Sequence, residues 1–294
     1  MIIERVEALY FSPTGNVKKV CETIGREIAD RMGAEYSSFD FTLPDKRGVL
    51  KDYGAGDLIV LGVPVYAGRV PNKIRPFICD YIKGNNTKII PVCCFGNRSF
   101  GDTLTEMRDL SIENNFIPVA AAAVVSEHAF APELASGRPD ENDMEEITEF
   151  ACEAAKKLID SDDDQLSVLV NAGCRKGDIS CYYNALFLPG SSPAGAYYQP
   201  LRADGKPAQF LKAKPKTDEK LCNKCGVCAE VCPMGSISRT DFSEITGVCI
   251  KCQACVKHCH GGAKYFDDED FLSHRQMLTE NYTGRRESQF FVYN

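Results

Sequence analysis

The chain contains 294 residues, more than one compact unit usually needs, which predicts one large domain joined to a smaller one. Apolar residues at 44% and charged residues at 26% can build a full core, and they exclude a disordered chain, a collagen and a small disulfide-stapled scaffold. The formal net charge of −7 lies entirely in residues 1–212, and this acidic first part argues against a nucleic-acid partner.

Strands and helices alternate in the first part of the chain. Strand-like patterns lie at residues 5–11, 36–41, 57–63, 87–95 and 118–126, of which 57–63 is a continuous apolar run bounded by Gly and Pro. Helical patterns lie between them and after the last, at 14–32, from Pro71 onward, at 102–114 and at 142–159. This order predicts an α/β fold over residues 1–160, with a doubly wound five-stranded parallel sheet. Ligands of such sheets bind at the carboxyl ends of the strands.

Two segments lie on either side of the smaller domain. Residues 161–215 are rich in Gly, Pro, Tyr and Lys without a helical pattern, and we interpret them as a connector that can form a hairpin around 166–171 and 180–188. The pattern of residues 267–294 predicts a helix with an acidic first turn, followed by a final strand or docking segment.

The interpretation of the cysteines depends on the cellular compartment in which the protein is found. The N-terminus has no apolar signal region, and no stretch approaches 18 uninterrupted apolar residues, so we expect a cytoplasmic protein that does not enter a membrane. Cytosolic thiols stay reduced, and the 15 cysteines therefore predict metal ligands rather than disulfides. Cys174 and Cys181 in the connector lack the C-x-x-C spacing of a redox pair. Five others are expected to be small buried residues: Cys21, Cys79, Cys93, Cys94 and Cys152.

An internal repeat occupies residues 221–266, where "CNKCGVCAEVCPMGS" recurs as "CIKCQACVKHCHGGA" with every cysteine displaced by 27 positions. Such a repeat indicates two half-modules, each too small to bury its own core. Each run has the spacing C-x2-C-x2-C-x3-C, which can hold three corners of an iron–sulfur cube and needs a fourth thiolate from elsewhere. The two runs therefore complete each other.

This module, residues 216–266, resembles the bacterial-type ferredoxin domain, a small α+β fold with two [4Fe-4S] clusters. The resemblance implies that one cluster binds Cys222, Cys225, Cys228 and Cys259. It implies that the other binds Cys249, Cys252, Cys255 and Cys232.

Zinc is the alternative for these cysteines, since it accepts paired C-x2-C ligands. Eight thiolates in two interlocked sets, with a proline after Cys232, favour the clusters. The sequence departs from the family pattern at His260, where the family has a second proline. This change can alter solvent access and the potential of a cluster without removing a ligand.

The first predicted strand ends in the loop "FSPTGNVKK", where Ser12 and Thr14 offer hydroxyls and Gly15 lets the backbone approach a ligand closely. Exposed N–H groups at the start of a helix attract phosphate, although such turns also simply cap helices. Two further glycine-bearing loops with aromatic residues, 64–71 and 94–103, follow the third and fourth strands at the same end of the sheet.

These three loops resemble those of the flavodoxin family, in which the first binds the FMN phosphate and the others enclose the flavin ring. The resemblance implies phosphate contacts from Ser12, Thr14, Gly15, Asn16 and Val17. It implies ring contacts from Pro64, Val65, Tyr66, Ala67, Gly68, Phe95, Gly96, Asn97 and Gly101, with Tyr66 or Phe100 stacked on the flavin. Val17 departs from the family, where many members have a threonine that adds one hydroxyl contact.

The domain order resembles flavodoxin–ferredoxin fusion proteins of anaerobic bacteria and archaea. The resemblance implies electron transport between FMN, two [4Fe-4S] clusters and external protein donors and acceptors, since a flavin exchanges one or two electrons and a cluster exchanges one. Neither G-x-G-x-x-G nor G-x-x-x-x-G-K-[ST] occurs, so nothing indicates a nicotinamide site or a P-loop.

Two other functions stay open. The chain could be a flavin-dependent reductase of a small molecule, fed by the clusters, with a pocket supplied by the connector residues Tyr182, Tyr183, Tyr197 and Tyr198. Alternatively, the first domain has lost FMN and only docks a partner, an interpretation that depends on Val17 alone. The sequence predicts no catalytic residue, no membrane contact and no particular oligomeric state.

Overall fold

A computed structural model describes residues 2–161 and 186–292, together with the backbone of residues 169–170 and 182–183. Cys174 and Cys181 lie outside the described residues. The helices and strands are, in chain order, β1 Arg5–Tyr10, α1 Asn16–Met32, β2 Glu35–Asp40, β3 Lys51–Asp52, β4 Asp57–Pro64, α2 Arg75–Tyr81, β5 Ile82–Lys83, β6 Thr87–Phe95, α3 Thr103–Glu113, β7 Phe116–Pro118, β8 Ala120–Val125, α4 Glu141–Asp160, β9 Leu169–Val170, β10 Tyr182–Tyr183, β11 Lys216–Thr217, α5 Val227–Glu230, α6 Ala254–Lys257, β12 Lys264–Tyr265, α7 Glu269–Asn281 and β13 Gln289–Val292.

The central sheet has the order β2-β1-β4-β6-β8, and all of these neighbours pair in parallel. Counted along the chain, this is the order 2-1-3-4-5 of the flavodoxin-like doubly wound fold. The predicted fold class is therefore confirmed. Two short strands enlarge the sheet beyond the five predicted, because β7 pairs with the start of β6 and β13 pairs with β8.

Helices cover both faces of this sheet. Alternate strand residues point to opposite faces, so Val6 and Ala8 pack against α1 and α4, while Leu9 and Phe11 lie in the core beneath α2 and α3. The strands are buried almost throughout, which explains their continuous apolar sequence. Cys21, Cys93 and Cys94 are buried in these two cores, as expected, and Cys79 and Cys152 are half-buried.

Two boundaries differ from the sequence prediction. The helix expected from Pro71 begins at Arg75, because the N–H groups of Ile74 and Arg75 bond to the Pro71 carbonyl in a preceding turn. The strand expected over 118–126 is divided into β7 and β8. Pro118 lies at the break and has no N–H to continue the ladder.

The C-terminal segment returns to the first domain. β13 pairs antiparallel with β8 and covers that edge of the sheet, with Val292 opposite Ala120. Phe290 of β13 stacks on Phe150 of α4, with ring centroids 5.1 Å apart. The predicted final strand thus belongs to the same sheet as the first five.

The cysteine module consists of two short helices and the antiparallel pair β11–β12. Its internal repeat is visible in the backbone, since α6 occupies the position of α5 in the second half of the repeat. Positive φ angles recur at equivalent positions of the two halves, at Lys224 and Lys251 and at Gly226 and Gln253. In the connector, β9 and β10 form an antiparallel pair where the hairpin was predicted. No helix within the described residues is long and apolar enough to cross a membrane.

Gly62 in β4 is required by the close approach of α1. A methyl group there would lie 2.1 Å from Cys21 Sγ and 2.7 Å from Val17 Cγ1. We therefore expect Gly62→Ala to lower the free energy of unfolding by about 1–3 kcal/mol, measured by urea denaturation followed by circular dichroism.

The matched control is Gly54→Ala, whose methyl group would have its nearest neighbour at 4.0 Å. In a double-mutant cycle, Gly62→Ala combined with Cys21→Ala should cost less than the sum of the two single changes. Equal stability of the two glycine variants would contradict this close helix–strand contact.

Candidate functional site

The eight cysteines of the repeat surround two separate cavities. Cys222, Cys225, Cys228 and Cys259 line one, a space of about 360 Å³ that includes some adjoining solvent. Cys232, Cys249, Cys252 and Cys255 line the other, which measures about 370 Å³ in the same way. These are the two sets of four that the family resemblance implies. We call them the outer set and the inner set.

The donor chemistry of both cavities fits an iron–sulfur cluster. In the described parts of the chain, no three His, Cys, Asp or Glu side chains converge on a point where one metal ion would bind. A cubane cluster requires a different arrangement, because each of its irons takes one thiolate and the four sulfurs surround the cluster. The described cysteines are all free thiols.

Backbone N–H groups point at the cysteine sulfurs in a repeated pattern. The N–H of Ser236 donates to Cys232 Sγ at 3.3 Å, and at the equivalent place in the second half the N–H of Ala263 donates to Cys259 Sγ at 3.2 Å. The N–H of Lys251 also donates to Cys249 Sγ, at 3.4 Å. Such donors stabilise negative charge on sulfur and tune the potential of a bound cluster.

The two sets differ in their exposure to solvent. Cys225 of the outer set is exposed, whereas Cys252 and Cys255 of the inner set are buried. Burial raises the pKa of the Cys255 thiol to about 12. Iron must therefore displace a proton from this thiol when it binds, which couples metal binding to proton release.

The loop after β1 has the features of an anion site. Gly15 caps α1 with φ +91°, and no acidic residue lies in the first turn of the helix. Ser12 Oγ accepts a hydrogen bond from the N–H of Lys18 at 2.9 Å, which orders the loop. The side-chain nitrogen of Asn16 is buried without a hydrogen-bond partner. An anion at the positive end of the helix dipole would supply that partner.

The two predicted ring loops contact each other. Tyr66 and Arg69 exchange backbone hydrogen bonds across a tight turn, in which Ala67 and Gly68 have φ angles of 51° and 77°. The carbonyl of Gly68 accepts a hydrogen bond from the N–H of Asp102 at 2.9 Å. A methyl group at the neighbouring Gly101 would lie 2.6 Å from that carbonyl oxygen, so glycine is needed for this contact.

Two residues of the predicted ring site have other partners. Phe100 is 8% exposed and packs edge-on against Phe95 in the core. The side-chain amide of Asn97 donates to the carbonyls of Tyr282 and Gly284, and its oxygen accepts from the N–H of Arg286. Of Tyr66 and Phe100, the two residues predicted to stack on the flavin, Tyr66 lies at the boundary with the cysteine module.

The cysteine module and the ring loops meet at Tyr66. Burial raises the pKa of Tyr66, and the nearby Cys252 and Cys249 raise it further. Beside them, Ile250 packs against the same sheet core as Val65. The inner cysteine set is therefore the one that faces the predicted flavin loops.

Sequence reasoning missed the loop that follows β8. A methyl group at Gly96 would lie 2.4 Å from His128 Cδ2, so this loop lies directly on a predicted ring loop. Burial lowers the pKa of His128 to about 4. Its neutral Nδ1 accepts a hydrogen bond from the N–H of Phe130 at 3.1 Å. A lone histidine in an irregular segment gives no signal from which this position could be predicted.

A buried ion pair that was also missed holds the 64–71 loop. Glu106 of α3 is 3% exposed, and it accepts hydrogen bonds from Arg69 Nε and Nη2, each at 2.8 Å, and from Arg75 Nε at 3.1 Å. It also accepts from the N–H of Val70 at 3.0 Å. Two cations and a backbone donor thus satisfy a carboxylate that burial alone would disfavour.

Connector residues cover the same loops. The N–H of Tyr198 donates to the carbonyl of Ala67 at 2.8 Å, and the Arg98 guanidinium lies 3.9 Å from the centre of the Tyr198 ring. Tyr197 donates its hydroxyl to the carbonyl of Val70 at 2.9 Å. For Tyr182 and Tyr183, the structure describes only the backbone of β10.

A larger cavity lies between the two parts of the molecule. It measures about 760 Å³ with adjoining solvent. Thr14 of the predicted phosphate loop and Gln253 beside Cys252 both line it. Opposite them lie Phe130 and Arg275 of α7. Neither residue was predicted, because their places in the lining depend on how the C-terminal helix docks.

The comparisons with known proteins agree with this organisation. The 4Fe-4S binding domain model matches residues 215–238. No curated protein matches the sequence.

Several solved flavodoxin structures are similar to about half of the chain. An archaeal flavodoxin is 13% identical and covers 53% of this chain and 99% of its own, with a TM-score of 0.40. Flavodoxin 2 from Bacillus cereus is 19% identical and covers 52% of this chain and 99% of its own, with a TM-score of 0.40. The flavodoxin of Streptococcus pneumonia TIGR4 is 17% identical, covers 52% and 99%, and has a TM-score of 0.36.

The strand order of the sheet establishes the fold independently of these likenesses. The chain combines a flavodoxin-like α/β domain with a C-terminal 4Fe-4S binding domain, an organisation consistent with a flavodoxin–ferredoxin fusion.

Proposed function

We propose that this chain is an iron–sulfur flavoprotein that relays electrons between FMN, two [4Fe-4S] clusters and external redox proteins. The observation that carries the proposal is the packing of Ile250, which lies between Cys249 and Cys252, against the same sheet core as Val65 of a predicted flavin loop. Four cysteines line each of two cavities, and the outer set reaches the surface at Cys225.

The residues of each site have distinct tasks in this proposal. The outer and inner sets each supply four thiolates to one cluster. The N-terminus of α1, with Ser12, Gly15 and Asn16, binds the FMN phosphate, and the loops 64–68 and 95–101 enclose the ring. When bound, the flavin exchanges one or two electrons and each cluster exchanges one. Placing all three groups in one chain keeps them at a high effective concentration.

The burial of the two sets supports an order of transfer. External proteins meet the outer set first, because Cys225 is exposed. The inner set lies close to the flavin loops, since Cys252 is buried and Ile250, between Cys249 and Cys252, packs against the same core as Val65. The exposed side chains of Lys220 and Lys224 on the module are available to acidic protein partners.

Cofactor analysis tests the cluster assignment. Full-length protein reconstituted under argon should contain about eight irons and eight sulfides, two cubes of four. Cys225→Ala and Cys259→Ala should each reduce iron to about half and give the same loss in the electron paramagnetic resonance spectrum, because both residues line the outer cavity.

Two comparisons sharpen that experiment. Cys252→Ala should remove the other cluster and give a different spectrum, whereas Cys79→Ala should retain all of the iron. If Cys259→Ala matched Cys252→Ala instead of Cys225→Ala, the pairing of the sets would be wrong. A zinc-containing, iron-free protein after reconstitution would overturn the relay.

Flavin binding tests the phosphate loop. We expect Asn16→Leu to weaken FMN binding roughly 10- to 100-fold, because a hydrogen bond to a charged group contributes about 1.5–3 kcal/mol. Riboflavin, which lacks the phosphate, should bind wild type and variant equally. Titrations followed by flavin fluorescence quenching measure both affinities.

The outcome separates the alternatives that the sequence left open. An equal loss for FMN and riboflavin would show that Asn16 supports the loop without contacting phosphate. Absence of saturable binding by wild type would favour a domain that only docks a partner.

The second candidate function is a small-molecule reductase. It is favoured by the cavity that Thr14 and Gln253, the residue after Cys252, both line and by the connector tyrosines on the ring loops. Anaerobic turnover of a small acceptor by the reduced protein, without any protein acceptor, would support it. Electron delivery to proteins alone would support the relay.

A further inference from the structure

Arg47, between β2 and β3, connects the flavodoxin-like domain to the inner cysteine set. Its Nη2 donates to the carbonyl of Pro233, the residue after Cys232, and to the carbonyl of Thr42 at 2.9 Å. Its Nε donates to the carbonyl of Leu43 at 3.4 Å. The side chain is half-buried.

The positive charge of Arg47 is bonded to carbonyl oxygens instead of a carboxylate. In the described residues, its hydrogen bonds go to Leu43, Thr42 and Pro233. Asp45, the nearby acid, pairs with Lys46 at 3.9 Å. Burial lowers the pKa of Arg47, and the negative charges of Cys232 and, less strongly, of Asp45 oppose that effect. A desolvated cation of this kind is costly without a counter-charge, and an anionic cluster bound through Cys232 would provide one.

Arg47 breaks the symmetry of the repeat. Pro233 in the first half corresponds to His260 in the second, and Arg47 bonds to the carbonyl of Pro233. Lysines also act on both sets: Lys264 acts on Cys228 and on Cys255. Lys251 and Lys214 act on Cys249 of the inner set, and the repeat counterpart of Lys251 is Lys224.

The same arginine also contacts the predicted phosphate loop. Its guanidinium carbon lies 5.9 Å from the centre of the Phe11 ring, which precedes Ser12. The hydroxyl of Thr42, whose carbonyl Arg47 binds, accepts a hydrogen bond from the N–H of Ser12 at 2.7 Å. Continuous contacts therefore join this loop to Pro233.

We propose that Arg47 is the electrostatic partner of the cluster bound by Cys232, Cys249, Cys252 and Cys255, and that it raises the reduction potential of this cluster relative to the outer one. The inference rests on the proposed function and adds to it a direction of electron transfer. A cluster that takes up one electron becomes more negative by one charge, with no bond made or broken. A nearby cation stabilises that reduced form, so electrons supplied by an external reductant at Cys225 move inward.

The test is a redox titration of the full-length protein, using dithionite as reductant under argon and electron paramagnetic resonance as the readout. Arg47→Met should lower the reduction potential of one cluster by about 59 mV, which for one electron is about a tenfold change in the reduction equilibrium. The other cluster should keep its potential. Repeating the titration in the Cys225→Ala background, which retains the inner cluster, identifies the one that shifts.

Three further variants separate charge from structure. Arg47→Lys keeps the charge but loses the planar set of hydrogen-bond donors. It should retain more than half of the wild-type difference in reduction potential between the two clusters. Arg31→Met, at an exposed site on α1, is the matched control and should change neither potential. If Arg47→Met lost its inner cluster, Arg47→Gln, which keeps an N–H donor without the charge, would take its place. A fall in potential in Arg47→Gln would support the charge effect, and an unchanged potential would overturn it.

Each result bears on a distinct claim. Wild-type protein with two clusters and no selective shift in Arg47→Met would overturn the role of Arg47 and leave the relay intact. A shift in the outer cluster, or equal shifts in both, would also overturn it. Wild-type protein that takes up no iron would overturn the relay and this inference together.

Discussion

Parallel pairing in the central sheet is the constraint on which the rest of the structure depends. Because β1, β4 and β6 run in the same direction, the loops that follow them all lie at one edge of the sheet. The cysteine module packs against that edge, where Ile250, between Cys249 and Cys252, lies against the same core as Val65. A single geometric rule thereby brings the predicted phosphate loop and the two other glycine-bearing loops to one place, next to the inner cysteine set.

The cysteine module shows how a repeat can give two sites with different properties. Its two halves share helix positions, positive-φ residues and N–H donors to sulfur. Their surroundings differ, since one set faces solvent at Cys225 and the other faces the sheet. The first domain therefore supplies the asymmetry that the repeated sequence lacks, through packing around Ile250 and through the charge of Arg47.

Local patterns predicted most of the fold. The central strands β4 and β6 are apolar runs with Gly or Pro at or next to their ends, and the repeat is visible from the cysteine spacing alone, so both could be predicted. The failures involve contacts between distant residues. The start of α2 depends on a turn at Pro71, and the pairing of β13 with β8 depends on the path of the whole intervening chain.

The candidate site divides in the same way. Gly15, Gly68 and Gly101 were predictable because the positive φ angles that they adopt favour glycine. The hydrogen bonds between Asn97 and the C-terminal segment could not be predicted, because they depend on three backbone groups far along the chain. Glu106, His128 and Arg47 share this limitation, since each acts through partners that no local pattern reveals.

The position of β13 also has a consequence for the order of events during protein synthesis. β8 leaves the ribosome well before β13, and until then the apolar run of alanines and valines in β8 is an open sheet edge. The cysteine module is translated in that interval. The sheet is thus completed only after the cysteine module has been translated. A nascent chain that stalls between β8 and β13 exposes the edge of β8, which can then pair with a strand of another chain.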